Sequence, residues 1–188
     1  AANAQAEILR GEGLPNFEAI TPEAVSEHTP ALMQALESEL GALEQSLGQR
    51  LEQNQTLSWN DVMAPLQRLG ERLRWSWGVV SHLNGVCNSP ELRDAHASQQ
   101  ASVVQFGNRA GQSQVIYRAL QQLEAGRSGL DGTQQRILDA ELRDMKLRGV
   151  GLTGANKEAF NNASQTLAEL STRFGNHVLD ATNQWTLR

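Results

Sequence analysis

Residues 32–51 read LMQALESELGALEQSLGQRL, and the spacing of the leucines in this stretch decides the fold class. They recur every three or four residues: Leu32, Leu36, Leu40, Leu43, Leu47 and Leu51. This period places the leucines on one stripe of an α-helix, whereas acidic and amide side chains between them face away. Upstream, Thr21, Pro22 and Glu23 supply the N-cap, first-turn proline and acidic residue typical of a helix start. Pro30 has no N–H and clashes with the preceding turn, so we expect it to kink or restart the helix.

The same helical spacing continues through two further segments. Ser58 and Asp61 match a capping box and predict the start of a second helix. Its apolar stripe is Val62, Leu66, Leu69, Leu73, Trp77, Val80 and Leu83 or Asn84. Ser89 and Pro90 then predict the N-cap and first helical residue of a third segment, which covers residues 91–124.

Glycines separate the remaining segments. Gly107 and Gly111 lower the helix propensity in the middle of the third segment. Residues 126–132 predict a loop, and Thr133 is the predicted cap of a short helix with Ile137, Leu138, Leu142 and Met145 facing inward. Residues 149–154 predict another loop before a last long helix. The apolar stripe of that helix is Phe160, Ala163, Leu167, Leu170, Phe174 and Val178. No stretch alternates convincingly like a strand, so we predict an all-α array of five to six mostly antiparallel helices, several of them long.

Composition and charge exclude several classes of protein. The 188 residues are 39% hydrophobic, which suffices for a core, and no run of roughly 18 apolar residues predicts a membrane span. The net charge of −5 does not favour a nucleic-acid partner. A single cysteine, Cys87, excludes an internal disulfide and fits a reducing compartment. We expect residues 1–13 to be a flexible segment or tag remnant with no secretory signal, and residues 14–188 to form a single helical domain.

No residue pattern predicts a catalytic, metal or cofactor site. Gly149, Gly151 and Gly154 match G-x-G-x-x-G, but the preceding residues predict a helix where a dinucleotide loop needs a strand. A helix C-cap and linker is therefore the expected role of these glycines. The histidines, His28, His82, His96 and His177, include no pair one helical turn apart, and no His-Glu-x-x-His occurs. We expect His82 to be a polar histidine at a helix interface, and Cys87 to be an unreactive thiol.

Trp75 and Trp77 cannot share one helix face, because they are two residues apart. We expect one to be buried and the other to lie at a second contact or on an exposed patch. Such a patch would suit an interaction surface, although ordinary packing between three helices explains the pair as well.

Four stretches resemble the thimet oligopeptidase family of zinc metallopeptidases. They are VSHLNGVCNSPELR at residues 80–93, NHVLDATNQW at 176–185, LPNF at 14–17 with ITPE at 20–23, and LRGVGL at 147–152. Their order and spacing agree with the family, so the resemblance covers nearly the whole chain after about residue 10. It is strongest to the oligopeptidase A-like branch of bacteria and plant organelles.

The resemblance implies a part of a longer enzyme. Family members are several times longer, and their zinc-binding His-Glu-x-x-His helix has no counterpart here, so no catalytic or metal residue can be carried over. The expected role is one wall of the channel that admits short peptides, packed against the catalytic domain of the same polypeptide. Zinc would belong to the parent enzyme and not to this chain, which should be inactive alone. The implied location is cytoplasmic, or the organellar matrix or stroma in a plant.

A stand-alone helical module that binds a protein or peptide partner is the alternative. Residues 1–61 carry ten acidic and two basic side chains, whereas residues 62–148 carry eleven basic and eight acidic ones. This uneven distribution would suit docking to a partner.

Overall fold

The computed structural model describes Leu9 and residues 13–186, and within these residues it contains six α-helices and no strand. The helices are α1 (Pro22–Glu52), α2 (Trp59–Val86), α3 (Pro90–Gly111), α4 (Gln114–Ala125), α5 (Gly132–Leu147) and α6 (Gly154–Gln184). Short 3-10 helices cover Phe17–Ala19 and Arg127–Gly129. The all-α prediction is confirmed. The predicted flexible segment 1–13 lies outside the described residues, apart from Leu9 and Gly13.

Polar caps fix the starts of the first three helices as the sequence predicts. The Thr21 hydroxyl accepts an N–H of the first turn of α1 at 3.2 Å. At α2 the cap is reciprocal, because the Ser58 N–H donates to Asp61 Oδ2 at 2.7 Å and the Asp61 N–H donates to the Ser58 hydroxyl at 3.3 Å. The Ser89 hydroxyl accepts an N–H of α3 at 3.1 Å. Each bond pairs an N–H that would otherwise lack a partner inside its helix.

The structure differs from the sequence prediction at three other boundaries. Helix α1 continues through Pro30, so the predicted alternative of a restart is wrong. The third segment is two helices, because α3 ends at Gly111 and the Ser113 side chain caps α4. Thr133 is not the cap of α5. That role belongs to Asp131, whose carboxylate accepts two N–H groups of the first turn in a complete capping box.

The described residues fall into two compact units. The first lies within Ala1–Gln34, Glu71–Gln105 and Asn161–Arg188. Its buried apolar side chains come mainly from α1, α2 and α3: Val25, Leu32, Met33, Val80, Leu83, Leu92 and Ala95. Leu32, Val80 and Leu83 belong to the predicted stripes.

The second unit comprises Ala35–Gly70 and Phe106–Phe160. Leu36, Leu40 and Leu47 of the opening stretch are at most 1% exposed here, which confirms the buried face predicted from their spacing. Helix α4 packs against α5, and its buried residues are Ile116, Ala119, Leu120 and Leu123. Leu138 and Met145 of α5 are buried as predicted.

The predicted stripe of α6 is exposed from Ala163 onward, whereas Phe160 at its start is half-buried. Leu167, Leu170, Phe174 and Val178 are all exposed. The side chains that α6 turns inward are mostly small or polar, among them Ala168, Thr172, Asn176, Leu179 and Asp180. Spacing located the stripe, but it could not show on which side of the helix the neighbouring helices pack.

Across the described residues, no helix combines the length and the apolar character that a membrane span requires.

Candidate functional site

The four histidines lie in different environments. His96 is buried and His28 is half-buried, whereas His82 and His177 are exposed. Among the described residues, no three histidine, cysteine or carboxylate side chains come together as a metal site would require. The described side chains therefore do not fit a zinc ion.

The predicted interface histidine was the wrong one. His82 is exposed, and its ring lies 6.4 Å from the ring of Phe17. The buried interface histidine is His96 on α3, which the apolar pattern did not single out. Cys87 is a free, exposed thiol at the residue after α2.

Trp75 and Trp77 point to different contacts, as their spacing predicts. The Trp75 indole N–H donates to the Gly13 carbonyl at 2.9 Å. The Trp77 ring stacks on the imidazole of His96, with ring centroids 4.5 Å apart and planes 27° from parallel. Neither tryptophan is fully buried, so the expectation that one would be is wrong; the fully buried residue is Ser76 between them.

A cavity of about 300 Å³ lies in the first unit, between α2, α3 and α6. Each helix lines it with residues at helical spacing: Trp77, Ser81, Asn84 and Gly85 from α2, His96 and Gln100 from α3, and Thr172, Gly175, Asn176 and Leu179 from α6. The lining is uncharged apart from the titratable imidazole of His96. Two of the stretches that carry the family resemblance, residues 80–93 and 176–185, meet at this cavity.

His96 is the titratable group of the cavity. It is 4% exposed, and burial lowers its pKa below the ordinary value of 6.5 because a charged imidazolium would lose its hydration. Its Nε2 lies 3.2 Å from the Ser81 hydroxyl. Its Nδ1 is buried and has no hydrogen-bond partner in the described part of the chain. The neutral imidazole is therefore the form that this environment favours.

The Ser81–His96 pair does not form a catalytic triad. A serine nucleophile needs a histidine whose second nitrogen is oriented by a carboxylate or a similar group. No described residue bonds Nδ1 of His96, so nothing orients the ring as a base or stabilises it once protonated. The pair instead acts as a neutral hydrogen bond at a helix contact.

A bidentate ion pair joins the same two family stretches near the cavity. The Arg93 guanidinium donates to both carboxylate oxygens of Asp180, at 2.9 and 2.5 Å, and its Nε donates to the Asn88 side chain. Arg93 lowers the pKa of Asp180, chiefly through these hydrogen bonds. Alongside this pair, the Gln100 side chain donates to Thr172 Oγ1 at 2.8 Å and to the Ala168 carbonyl at 3.2 Å. Specific polar contacts therefore join α6 to α3.

In the second unit, the loop between α5 and α6 contains a third family stretch, residues 147–152. Gly149 has a φ of +82°, a left-handed conformation that ends α5 in the manner of a glycine C-cap. The Gln112 side chain donates to the Arg148 carbonyl at 2.9 Å, and the Gln114 side chain donates to the Val150 carbonyl. The glycine pattern of this loop thus has a structural explanation, and a helix precedes it as predicted.

Sequence reasoning from periodicity missed most of the cavity. His96, Gln100, Thr172 and Asn176 lie outside the predicted apolar stripes. For Asn176 a signal was present, since it belongs to a stretch quoted for the family resemblance. His96, Gln100 and Thr172 carry no comparable local signal.

Comparison with known proteins identifies relatives over most of the chain. The family profile described as the N-terminal domain of neurolysin/thimet oligopeptidase matches residues 29–157. The organellar (chloroplastic/mitochondrial) oligopeptidase A of Arabidopsis thaliana is 33% identical over 180 residues, which cover 95% of this chain and 22% of that protein. Oligopeptidase A of Haemophilus influenzae is 32% identical over 180 residues, covering 95% of this chain and 25% of its own length.

Oligopeptidase A of Escherichia coli gives a similar match, at 32% identity over 175 residues, which cover 92% of this chain and 25% of that protein. The chain thus spans about a quarter of the length of the curated relatives it matches. The profile covers more than half of the chain, from within α1 to the first turn of α6. This chain therefore belongs to the neurolysin/thimet oligopeptidase family, to whose N-terminal domain it corresponds.

Proposed function

We propose that this chain is the N-terminal, substrate-restricting domain of a zinc-dependent oligopeptidase that cleaves short peptides. The observation that carries the proposal is a match to peptidases named oligopeptidase A over 92–95% of the chain. In the family this region would form one wall of the channel to the active site. Its part in catalysis would be selection, since a narrow channel admits an extended peptide and excludes a folded protein.

The zinc site of the parent would lie outside this chain. The described residues bring no three candidate ligands together, so they do not fit the ion. When bound elsewhere in the parent, zinc would supply an activated water for attack on a peptide carbonyl. The 188-residue chain should accordingly be inactive alone. We propose a cytoplasmic location, or the matrix or stroma of an organelle in a plant.

One assay tests the enzymatic part of this proposal. The purified chain is incubated with zinc and a quenched fluorescent peptide, beside a sample treated with a chelator. We expect no turnover in either sample. Turnover that needs zinc and persists through further purification would overturn the assignment of catalysis to the rest of the parent.

A second experiment tests the parent itself. The gene is sequenced beyond codon 188, and the product of the complete open reading frame is purified. We expect the frame to continue through a His-Glu-x-x-His segment, and we expect its product to cleave short unstructured peptides but not a folded protein. Equal cleavage of both substrates would refute the substrate-restricting role.

The alternative function is a stand-alone helical module that binds a protein or peptide. The exposed apolar side chains of α6 favour it, because such a surface suits docking to a partner. A stop codon directly after codon 188 would support this alternative.

A further inference from the structure

Helix α6 packs on its neighbour with its polar side. In the first unit, Gln100 bonds Ala168 and Thr172, and Arg93 bonds Asp180. Amphipathic helices of globular domains usually bury their apolar stripe and expose the polar one. In α6 this arrangement is reversed.

The exposed stripe is continuous and large. Leu167, Leu170, Phe174 and Val178 are 66%, 50%, 71% and 48% exposed, at intervals of three, four and four residues along one side of the helix. Together they expose roughly 400 Å² of apolar surface, which is as large as the biggest patch on many monomers. Exposed polar and charged residues flank the stripe, including Thr166, Glu169 and Arg173. An apolar patch with a polar border is typical of an interface.

A second copy of the chain is the competing occupant. Stable interfaces between separate molecules bury about 1,200–2,000 Å² of polar and apolar surface together. An occupant that belongs to the same polypeptide needs no comparable area, because association within one chain avoids most of the entropy cost of bringing two molecules together. In the relatives about three quarters of the polypeptide lie outside the matched region.

We propose that the apolar stripe of α6 is the contact surface for the rest of the parent polypeptide, which covers it with an aliphatic and aromatic face. This assignment rests on the proposed function. It explains why Leu167, Leu170, Phe174 and Val178 recur at core spacing although each is 48–71% exposed. It also assigns the two sides of α6 different partners, with α3 on the polar side and the rest of the parent on the apolar side.

The test compares thiol labelling in the 188-residue chain and in the product of the complete open reading frame. Phe174→Cys places a thiol in the middle of the stripe. Asn162→Cys is the matched control on α6, exposed and about a third of a turn away around the helix. Trypsin cleaves after Lys157, Arg173 and Arg188, so mass spectrometry reads the two sites in separate peptides, 158–173 and 174–188.

We expect the Phe174→Cys thiol to react at least about tenfold more slowly in the complete product than in the 188-residue chain, because reaction there requires local opening of the contact. The Asn162→Cys thiol should react at similar rates in both. If the Phe174→Cys thiol reacts as fast in a longer, peptidase-active product as in the 188-residue chain, the assignment is overturned and the proposed function is left intact. Equal slowing at both sites would also overturn it, since the protection would not be specific to the stripe.

Two further outcomes count against the proposal. A stop codon after codon 188 would refute the proposed function and this assignment with it. Labelling of Phe174→Cys that slows as the concentration of the 188-residue chain rises would assign the stripe to a second copy instead.

Discussion

Substitution of Gly149 by alanine tests whether the glycines between α5 and α6 serve the backbone geometry of the loop. Gly149 has a φ of +82°, and a Cβ at this position would lie 2.7 Å from Leu152 Cδ1 and 3.2 Å from Leu152 Cγ. Gly154 also has a positive φ, +51°, but no atom beyond its chain neighbours and its own helix backbone lies within 4 Å of its Cβ position. Gly151 has neither constraint. The three glycines therefore separate steric clash from backbone strain.

The structure sets the order and the size of the three effects. A left-handed alanine costs about 1–2 kcal/mol, so Gly154→Ala should lower the free energy of unfolding by about that amount. Gly149→Ala adds the contact with Leu152, and overpacking costs about 1–3 kcal/mol when the neighbour can only partly move. Its total should be about 2–5 kcal/mol. Gly151→Ala should change the free energy of unfolding by no more than about 0.5 kcal/mol.

Urea unfolding followed by far-UV circular dichroism measures these differences. A Leu152→Ala background separates the two contributions of Gly149, because it removes the clash and leaves the strain. In that background Gly149→Ala should cost no more than Gly154→Ala does in the parent chain. The reasoning is refuted if Gly149→Ala costs less than Gly154→Ala, or if Gly151→Ala is as damaging as either.

Three further predictions concern single side chains. Burial lowers the pKa of His96, so its contribution to stability is complete above the ordinary value of 6.5 and is lost as the pH falls below it. The urea midpoint should therefore fall less between about pH 7.5 and about pH 5.5 in the His96→Phe variant than in the unmodified chain. An equal fall in both would contradict this. Hydrogen bonds from Arg50 hold the pKa of Asp61 well below its ordinary 3.8, so stability is retained above that value and lost as the pH falls through and below it. In the Asp61→Asn variant the free energy of unfolding should fall less steeply as the pH is lowered. Unfolding measured at a series of acidic pH values would test this. Gln112→Ala should lower the free energy of unfolding by about 1–3 kcal/mol in urea, since a buried side chain no longer bonds the loop carbonyl; no loss would show that the bond is dispensable.

Local rules predicted much of the fold, because the interactions that start a helix lie within four residues of one another. Thr21, Ser58 and Ser89 cap the helices that their sequence contexts predict. The corresponding failure at α5 is also local. Thr133 and Asp131 are both good caps, and only the structure shows that Asp131 accepts the first-turn N–H groups.

Contacts between distant segments were not predictable in the same way. His96 is buried because Trp77 and Ser81, from another helix, cover its ring. By sequence alone His82 was an equally good candidate, as it lies in a helix with a clear apolar stripe. Which histidine is buried depends on how the two helices rotate about their axes, and apolar spacing leaves that rotation open.

In α6 the rotation of the helix about its axis bears on function, because it leaves the apolar side exposed and turns the polar side toward α3. A helix with a strong apolar stripe would normally turn it toward any apolar surface within reach, because each buried side chain contributes about 1.5–3 kcal/mol. Helix α6 instead meets α3 through Arg93–Asp180 and Gln100–Thr172, which are polar contacts with specific geometry. Such contacts add less net stability than apolar packing, but they fix the rotation of the helix. The exposed side of α6, with Leu170 in its middle, is the surface that we propose the rest of the parent polypeptide covers.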